Sequence, residues 1–259
     1  MSEEKLRLGG MALRNGLLVH GPTHWAAAVR TTDGEIKVAS GRKPHLNVAA
    51  NIPGARGVLK LAEAFAVIPL VKRALPQAQM PFQDVSVIGV AAGATVAGTF
   101  ARRRLRGASG EALAAAVSLA PAIFALRGGE LAEYHGVEHK AIAAYEQDRD
   151  PSEVPKEHER CGSNLIAPML VFSLAGQLIV DRLIENPGRI ARGVSGVAGL
   201  SLSVETFVAA ERHPDSALGR AIHASGHTIQ RLIATREPTE EQLEVGVAAL
   251  AAALEAEAG

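Results

Sequence analysis

The sequence predicts a mainly α-helical protein: a membrane-associated helical bundle with a small amino-terminal β unit and a carboxyl-terminal helix. Three observations lead to this fold class. Turn residues separate short apolar stretches up to residue 57, long uncharged runs rich in alanine and glycine lie within residues 58–212, and an alanine-rich stretch follows within residues 213–259. Such apolar runs are typical of helices buried in a core or in lipid. We therefore divide the chain into a β-rich region (1–57), an apolar helical core (58–212) and a carboxyl-terminal segment (213–259).

The β unit is predicted from a turn signal between two apolar stretches. Asp33-Gly34 lies between residues 26–30 and 35–38, and an Asp-Gly pair in this setting is the strongest short-range signal for a tight hairpin. His20-Gly21-Pro22 marks a second turn. We therefore expect a small sheet in this region.

The core contains three uncharged runs, residues 85–101, 112–126 and 164–180. Their lengths lie at or below the lower limit for a membrane-spanning helix, and the chain has few of the aromatic residues that mark membrane interfaces. A fourth run, 194–204, is long enough only if it continues through Glu205, and a fifth, 62–71, predicts an amphipathic or re-entrant piece broken at a proline. A helix buried in a soluble core has the same composition, so hydropathy leaves both locations open.

A cluster of arginines follows the first uncharged run: Arg102, Arg103, Arg104 and Arg106. If that run spans a membrane, these cations should face the cytoplasm. If the next run also spans, the polar region 135–161 would then lie outside, so either one run does not cross or that region is external. The alternative is that the arginines balance the carboxyl end of a helix dipole in solvent.

The carboxyl-terminal helix is predicted from its capping residues. Thr239-Glu240-Glu241-Gln242 precedes an alanine-rich stretch through Ala253. A threonine cap with acidic residues in the first turn favours the start of a helix at this point.

Composition excludes several classes of protein. The formal net charge is 0, whereas a nucleic-acid groove needs clustered lysine and arginine, so we expect no nucleic-acid partner. The single cysteine rules out an internal disulfide framework and fits a reducing compartment. The first residues lack an apolar core behind a basic region, so we expect no cleaved secretion signal.

The motif Tyr134-His135-Gly136-Val137-Glu138-His139-Lys140 carries the main functional signal. On a helix, His135 and His139 lie one turn apart on the same face with Glu138 beside them. This is also the spacing of the inverted zinc-peptidase motif, in which two histidines bind zinc and the glutamate acts as general base. The alternative is a solvated helix on which these three residues have no joint role.

Further donors follow along the chain. We expect His135, His139 and His158 as metal ligands, with Cys161 or Glu205 completing the shell and Glu138 as general base. Zinc suits nitrogen and sulfur ligands, although iron or manganese would accept histidine and carboxylate. Two alternatives remain: Cys161 as a nucleophile activated by His158, and Glu205 as a residue at which its helix has reached solvent.

Another histidine pair, His223 and His227, also has one-turn spacing. No carboxylate lies close to it in sequence. We therefore interpret it as a surface pair rather than a second metal site.

Four separated blocks resemble one family in the same order along the chain. They are residues 9–36 (from Gly9-Gly10 to Asp33-Gly34-Glu35-Ile36), residues 134–146, residues 158–163 (His158-Glu159-Arg160-Cys161-Gly162-Ser163) and residues 230–245 (from Gln230-Arg231-Leu232 to Gln242-Leu243-Glu244-Val245). Together they resemble the YqhQ-like family of bacterial proteins. The resemblance implies a multi-pass membrane protein, predicted to be a metal-dependent enzyme, of no established substrate.

The resemblance sets the expected function and location. We expect a metal-dependent hydrolase in the bacterial cytoplasmic membrane, or otherwise in the cytoplasm, in which Glu138 takes a proton from a metal-bound water. Membrane lipid is the expected partner, the small-molecule or peptide substrate is unidentified, and homo-oligomer formation is left open. The alternative is a non-catalytic membrane scaffold or assembly protein whose histidine and cysteine motif is structural. Asn15 and His20 replace an acid and a base of the family pattern, which suggests a lost paired contact.

Overall fold

The computed structural model describes residues 5–44, 56–105, 107–127 and 129–259. It confirms a mainly helical chain with a small amino-terminal sheet and a carboxyl-terminal helix. The sheet has four antiparallel strands, each paired with the next in sequence. These strands are β1 (Gly9–Leu13), β2 (Gly16–His20), β3 (His24–Arg30) and β4 (Ile36–Arg42).

The β3–β4 hairpin confirms the turn predicted from Asp33-Gly34. Arg30 pairs with Ile36 across the ladder, and the Thr31 N–H donates to the Glu35 carbonyl at 2.9 Å. Gly34 has a φ of 87°, which glycine adopts without steric cost. The connection therefore spans residues 31–35 and is longer than a two-residue turn.

The two departures from the family pattern lie at opposite ends of β2. Asn15 precedes the strand and His20 ends it, so they are separated by about 16 Å at the usual rise per residue. They do not contact each other, and the interpretation as a lost pair is wrong. Asn15 instead donates to the carbonyls of Arg30 and Gln77 at 3.0 and 3.2 Å.

The described residues form ten α-helices. Their bounds are α1 (Arg56–Ala66), α2 (Ile68–Ala74), α3 (Val85–Arg104), α4 (Ala108–Ser118), α5 (Ala120–Leu126), α6 (Glu130–Gln147), α7 (Ile166–Leu183), α8 (Arg189–Arg212), α9 (Ala217–Ile229) and α10 (Glu240–Ala258). Short 3₁₀ turns at Pro81–Gln83, Pro151–Glu153 and Gly162–Leu165 and a π-helical segment at Gln230–Ala234 connect some of them.

The two faces of the sheet are covered by different helices. Leu17, Val19 and neighbouring alanines pack on one face with α6 and α10, whereas Leu18 and Trp25 pack on the other with α2. This division follows from the alternation of side chains along a strand. Within the piece 62–71, α1 ends at Ala66 and α2 begins at Ile68, so the helical break lies before Pro69. The buried residues at the start of α2 pack onto the sheet.

The carboxyl-terminal helix begins as predicted. Thr239 caps α10 through a capping box with Gln242, and the helix continues to Ala258. It packs on the sheet and on α6. The Glu257 carboxylate accepts hydrogen bonds from the N–H groups of Thr23 and His24 at 2.8 and 2.6 Å. The two ends of the described chain therefore share one hydrophobic core.

Four segments of the described chain are long and apolar enough to cross a membrane. They are Val85–Arg104, Ala108–Leu126, Gly162–Leu183 and Arg189–Arg212, and between 11% and 28% of their residues are buried within the protein. The fourth run does continue through Glu205, since α8 is unbroken. These helices are therefore mostly exposed within the described part of the chain.

The apolar helices form two antiparallel hairpins, α3 with α4 and α5, and α7 with α8, which pack together through α4 and α7. The near ends of these hairpins contact the sheet: Arg14 pairs with Asp84 before α3 at 3.1 Å, and Arg7 pairs with Glu211 near the end of α8 at 2.6 Å. The far ends are joined through Glu111, which bonds Arg192 at 3.3 Å. The sheet, α6, α9 and α10 therefore lie together at one end of the hairpins.

A candidate metal centre between α6 and the turn before α7

Helix α6 is positioned by close backbone contacts. Glycine occurs where another chain segment passes closest: a Cβ on Gly136 would lie 2.2 Å from the Arg236 carbonyl oxygen, and a Cβ on Gly246 would lie 2.3 Å from a methyl of Val137. Glu130 and Glu133 lie in its first turn, where acidic residues favour the helix dipole. One face of α6 packs on the sheet and α10, and the other carries the motif histidines.

The structure brings three of the predicted ligands together: His135, His139 and Cys161. One ligand atom from each lies within 4.8 Å of the other two. The Cys161 Sγ is 3.3 Å from the His135 Nε2, and the two imidazole ring centres are 4.5 Å apart. In a tetrahedral zinc site, neighbouring nitrogen and sulfur ligands lie roughly 3.6 Å apart. The donor atoms are therefore already close to coordination geometry.

Backbone carbonyls orient both imidazoles. The His135 Nδ1 contacts the Ala234 carbonyl at 2.9 Å, and the His139 Nδ1 contacts the Lys156 carbonyl at 2.6 Å. A carbonyl oxygen only accepts, so both Nδ1 atoms carry the proton and both Nε2 atoms keep a lone pair. This is the arrangement that typically holds zinc-binding histidines. The His139 Nε2 is buried and has no hydrogen-bond partner in the described part of the chain.

Burial sets the protonation of the two central groups. It lowers the pKa of His139, so this imidazole is neutral at pH 7 and its lone pair is available. Burial also raises the pKa of Glu138, while His135, His158 and the Ala12 N–H oppose that rise. A carboxylate with a raised pKa is suited to exchanging a proton near neutral pH.

Glu138 lies against the first strand, where a Cβ on Gly10 would be 2.7 Å from its Cγ and 2.9 Å from its Oε1. Only a glycine leaves room for the carboxylate at this place. Gly10 is therefore explained by its contact with the candidate centre, whereas Gly9 lies against the ring of His20.

Cys161 caps the 3₁₀ turn that precedes α7. Its Sγ accepts the Ser163 N–H at 3.5 Å, and the residue is 8% exposed. The sulfur of a cysteine is a ligand that zinc accepts. This turn directs the sulfur toward α6.

His158 lies beside this group but has other partners. Its Nε2 is 3.2 Å from the Glu146 carboxylate, and its Nδ1 accepts the Arg160 N–H at 3.2 Å. Burial alone would raise the pKa of Glu146, but His158 and Arg160 together lower it. Both ring nitrogens of His158 thus have partners other than Cys161, and His158 is not among the three clustered donors.

Glu205 lies in α8 and does not belong to the group of donors formed by His135, His139 and Cys161. The structure therefore brings together three of the five ligands expected from sequence.

Two structural residues of the site were missed by sequence reasoning. Gln230 is fully buried; its Oε1 accepts the His158 N–H at 2.7 Å, and its Nε2 donates to the Ser163 Oγ at 2.8 Å. Lys140 is also buried and donates to the Val154 carbonyl at 2.8 Å. Gln230 begins one of the blocks that resemble the family, and this position in a block could have pointed to it as a residue of the site. Nothing in the sequence indicated the burial of Lys140.

The second histidine pair differs from expectation. His223 is 8% exposed, and neither of its ring nitrogens has a hydrogen-bond partner among the described residues. The prediction of a surface pair is therefore wrong for this residue. The rings of His223 and His227 are 6.5 Å apart.

Comparison with known proteins finds relatives without a known activity. Residues 129–256 match the family described as "Protein of unknown function (DUF1385)", and this stretch contains the whole candidate centre. The chain is also similar to "Uncharacterized protein YqhQ" of Bacillus subtilis (strain 168), with 26% identity covering 95% of this chain and 92% of the relative. No solved structure matches the chain.

Proposed function

Because the chain belongs to the YqhQ-like family of proteins of unknown function (DUF1385), as its motif blocks predicted, we propose its function from the site: a membrane-inserted, metal-dependent hydrolase. His135, His139 and Cys161 would bind a zinc ion, and Glu138 would act as general base. The observation that carries this proposal is the convergence of their three donor atoms within 4.8 Å.

The chemistry of the donors supports a transition metal. A buried imidazole nitrogen without a partner costs free energy, because it has lost its bond to water. The His139 Nε2 is such an atom, and a zinc ion bound there would satisfy it. Two imidazole nitrogens and one cysteine sulfur form a ligand set that suits zinc better than magnesium or calcium.

The number of donors supports catalysis rather than a structural role. A structural zinc has four protein ligands, whereas a catalytic zinc has three and an open position. The cluster contains three in the described chain. A zinc ion here would supply a Lewis acid beside that open position.

The role of Glu138 follows from its partners. Its carboxylate accepts the Ala12 N–H and lies near His135, yet it is not one of the clustered donors. These contacts support a role in accepting a proton from an attacking water rather than in binding the metal. The Ala12 N–H and Gly10 would hold its orientation.

The four exposed apolar segments support membrane insertion. Large apolar side chains on them are open to the surroundings: Val85 is 81% exposed, Ile190 is 84% exposed and Leu183 is 77% exposed. Soluble proteins rarely expose contiguous apolar faces of this extent. We propose that both hairpins insert in the bacterial cytoplasmic membrane, which leaves the sheet and the metal centre together on one side.

Metal content tests the centre. Detergent-purified wild type should contain about one zinc per chain, whereas His139→Ala and Cys161→Ala should lose it, since each removes a ligand. His158→Gln should retain zinc, and so should His213→Ala, an exposed histidine that serves as control. Full zinc retention in both ligand variants would show that this cluster is not a metal site.

The coordination shell separates the enzyme from a scaffold. X-ray absorption at the zinc edge should show one sulfur, two imidazole nitrogens and one light atom that exchanges with solvent. A third imidazole or a second sulfur would indicate a closed structural site and contradict the hydrolase.

Membrane insertion has its own test. The protein should remain in the membrane pellet after extraction with alkaline carbonate, because the apolar segments require lipid or detergent. Release of the folded protein without detergent would contradict insertion.

A further inference from the structure

An open cleft of about 780 Å³ lies at the far end of the helical hairpins, opposite the metal centre. The end of α3 and the start of α8 form most of its wall. Four arginines line it: Arg102, Arg103, Arg189 and Arg192. Arg106, which the sequence analysis grouped with the first two, lies outside the described residues.

The arginines divide into a fixed pair and an available pair. Arg102 bonds the buried carboxylate of Glu111 at 2.9 Å. Arg192 bonds Glu111 at 3.3 Å and Asp181 at 2.7 Å. These contacts join α3, α4, α7 and α8 and hold the cleft in shape.

Arg103 and Arg189 are the available pair. Both are exposed, and neither forms a salt bridge within the described ranges of the chain. The cleft therefore has four guanidinium groups and two neighbouring carboxylates, which is a positive surplus that suits an anion. Planar guanidinium groups bind phosphate oxygens in pairs, which makes phosphate the best match.

The surroundings of the cleft are apolar, which distinguishes it from a site for a free anion. Phe100 on α3 is 57% exposed, and Val194 on α8 is 65% exposed. Gly193 lines the cleft, and a Cβ placed on it would meet no atom within 4 Å. Exposed apolar side chains of α3 and α8 thus lie next to the cationic end of the hairpins.

We propose that this cleft binds the phosphate headgroup of an anionic phospholipid. Arg103 and Arg189 contact the phosphate, and the acyl chains lie along the exposed faces of α3 and α8. Basic pockets between membrane helices are suited to such headgroups. This inference rests on the membrane insertion proposed above and is independent of the metal centre.

Native mass spectrometry of the full chain in detergent tests the lipid site. The wild type should bind phosphatidylglycerol in preference to phosphatidylcholine. In Arg103→Gln/Arg189→Gln the affinity for phosphatidylglycerol should fall roughly 30-fold, from about fivefold for each arginine. The control Arg104→Gln/Arg182→Gln removes two exposed arginines, at the ends of α3 and α7, that do not line the cleft, and it should bind like wild type.

Three results would overturn the lipid site: equal weakening in both double variants, equal binding of the two phospholipids, or displacement of phosphatidylglycerol by an equal concentration of glycerol 1-phosphate. The last result would indicate a site for a soluble phosphate. Carbonate extraction distinguishes failure of the lipid site from failure of membrane insertion. A protein that stays in the pellet but shows no lipid preference refutes the cleft alone, whereas release by carbonate refutes insertion.

Discussion

Gly226→Ala tests the packing that supports the candidate metal centre. Gly226 lies within α9, where exchange of glycine for alanine normally stabilises a helix by about 1 kcal/mol. Here a Cβ would lie 1.8 Å from the Asn164 Oδ1 and 3.1 Å from its Cα. Asn164 is fully buried, and its Nδ2 donates to the Glu159 carbonyl at 2.6 Å. The side chain therefore cannot move aside without losing that bond.

The expected cost combines two terms. Overpacking costs about 1–3 kcal/mol, and an unpaired buried polar group costs about 1–3 kcal/mol. After the gain in helix propensity, we expect Gly226→Ala to lower the free energy of unfolding by about 1–5 kcal/mol. Thermal unfolding in detergent should show this as a midpoint lowered by roughly 2–20 °C. Zinc retention should fall as well, because the Asn164 N–H donates to the Cys161 carbonyl at 3.0 Å.

Two further variants serve as controls for the effect of Gly226→Ala. Gly196→Ala changes a helical glycine whose Cβ would meet no atom within 4 Å, so its midpoint should stay equal or rise. Adding Asn164→Ala to Gly226→Ala removes the clashing atoms and should give a double variant more stable than the sum of the single changes. A Gly226→Ala midpoint equal to or above that of Gly196→Ala would show that the contact with Asn164 does not constrain α9.

Three other predictions concern single side chains. Glu138→Gln should leave the zinc content unchanged while any hydrolytic activity falls by roughly two to four orders of magnitude, since the amide cannot accept the proton; loss of zinc would instead make Glu138 a ligand. Burial and the charge of Lys43 lower the pKa of His20 from 6.5 to about 4, so the unfolded chain binds this proton more readily. This contribution to the free energy of unfolding is fully present above pH 6.5, and up to about 3 kcal/mol should be lost as pH falls toward 4. When the free energy of unfolding is measured with denaturant against pH, the curve of His20→Gln should be flatter over this range. Parallel curves for wild type and variant would contradict this prediction. Lys140→Met should lower the free energy of urea unfolding by about 2–4 kcal/mol, because it leaves the Val154 carbonyl without its buried ammonium and removes the ion pair with Glu237; an unchanged midpoint would show that the buried ammonium contributes nothing.

Local rules made much of the fold predictable from the sequence. Asp33-Gly34 indicated the β3–β4 hairpin, and the pattern after Thr239 indicated α10 with its cap. The one-turn spacing of His135 and His139 placed both imidazoles on one face of α6. These predictions depend on residues within a few positions of one another, where backbone geometry sets the outcome.

The tertiary structure decided which residues complete the site. By sequence, His158 was an expected ligand and Cys161 was one of two alternatives for the last position, yet His158 contacts Glu146 and Cys161 faces α6. Glu205 was a plausible ligand by sequence distance, but the structure leaves it outside the cluster. The partners of these side chains depend on how helices and turns pack together, and spacing along the chain does not determine that packing.

The same division applies to the environment of the site. The sequence by itself determined that two imidazoles project together from one helix and that four apolar segments are present. Only the tertiary structure placed the Ala234 carbonyl, 99 positions away, beside His135, and gathered the arginines of α3 and α8 at one end of the hairpins. Helical periodicity acts over a few residues, whereas these contacts arise from packing between segments distant in the chain, which no local pattern encodes.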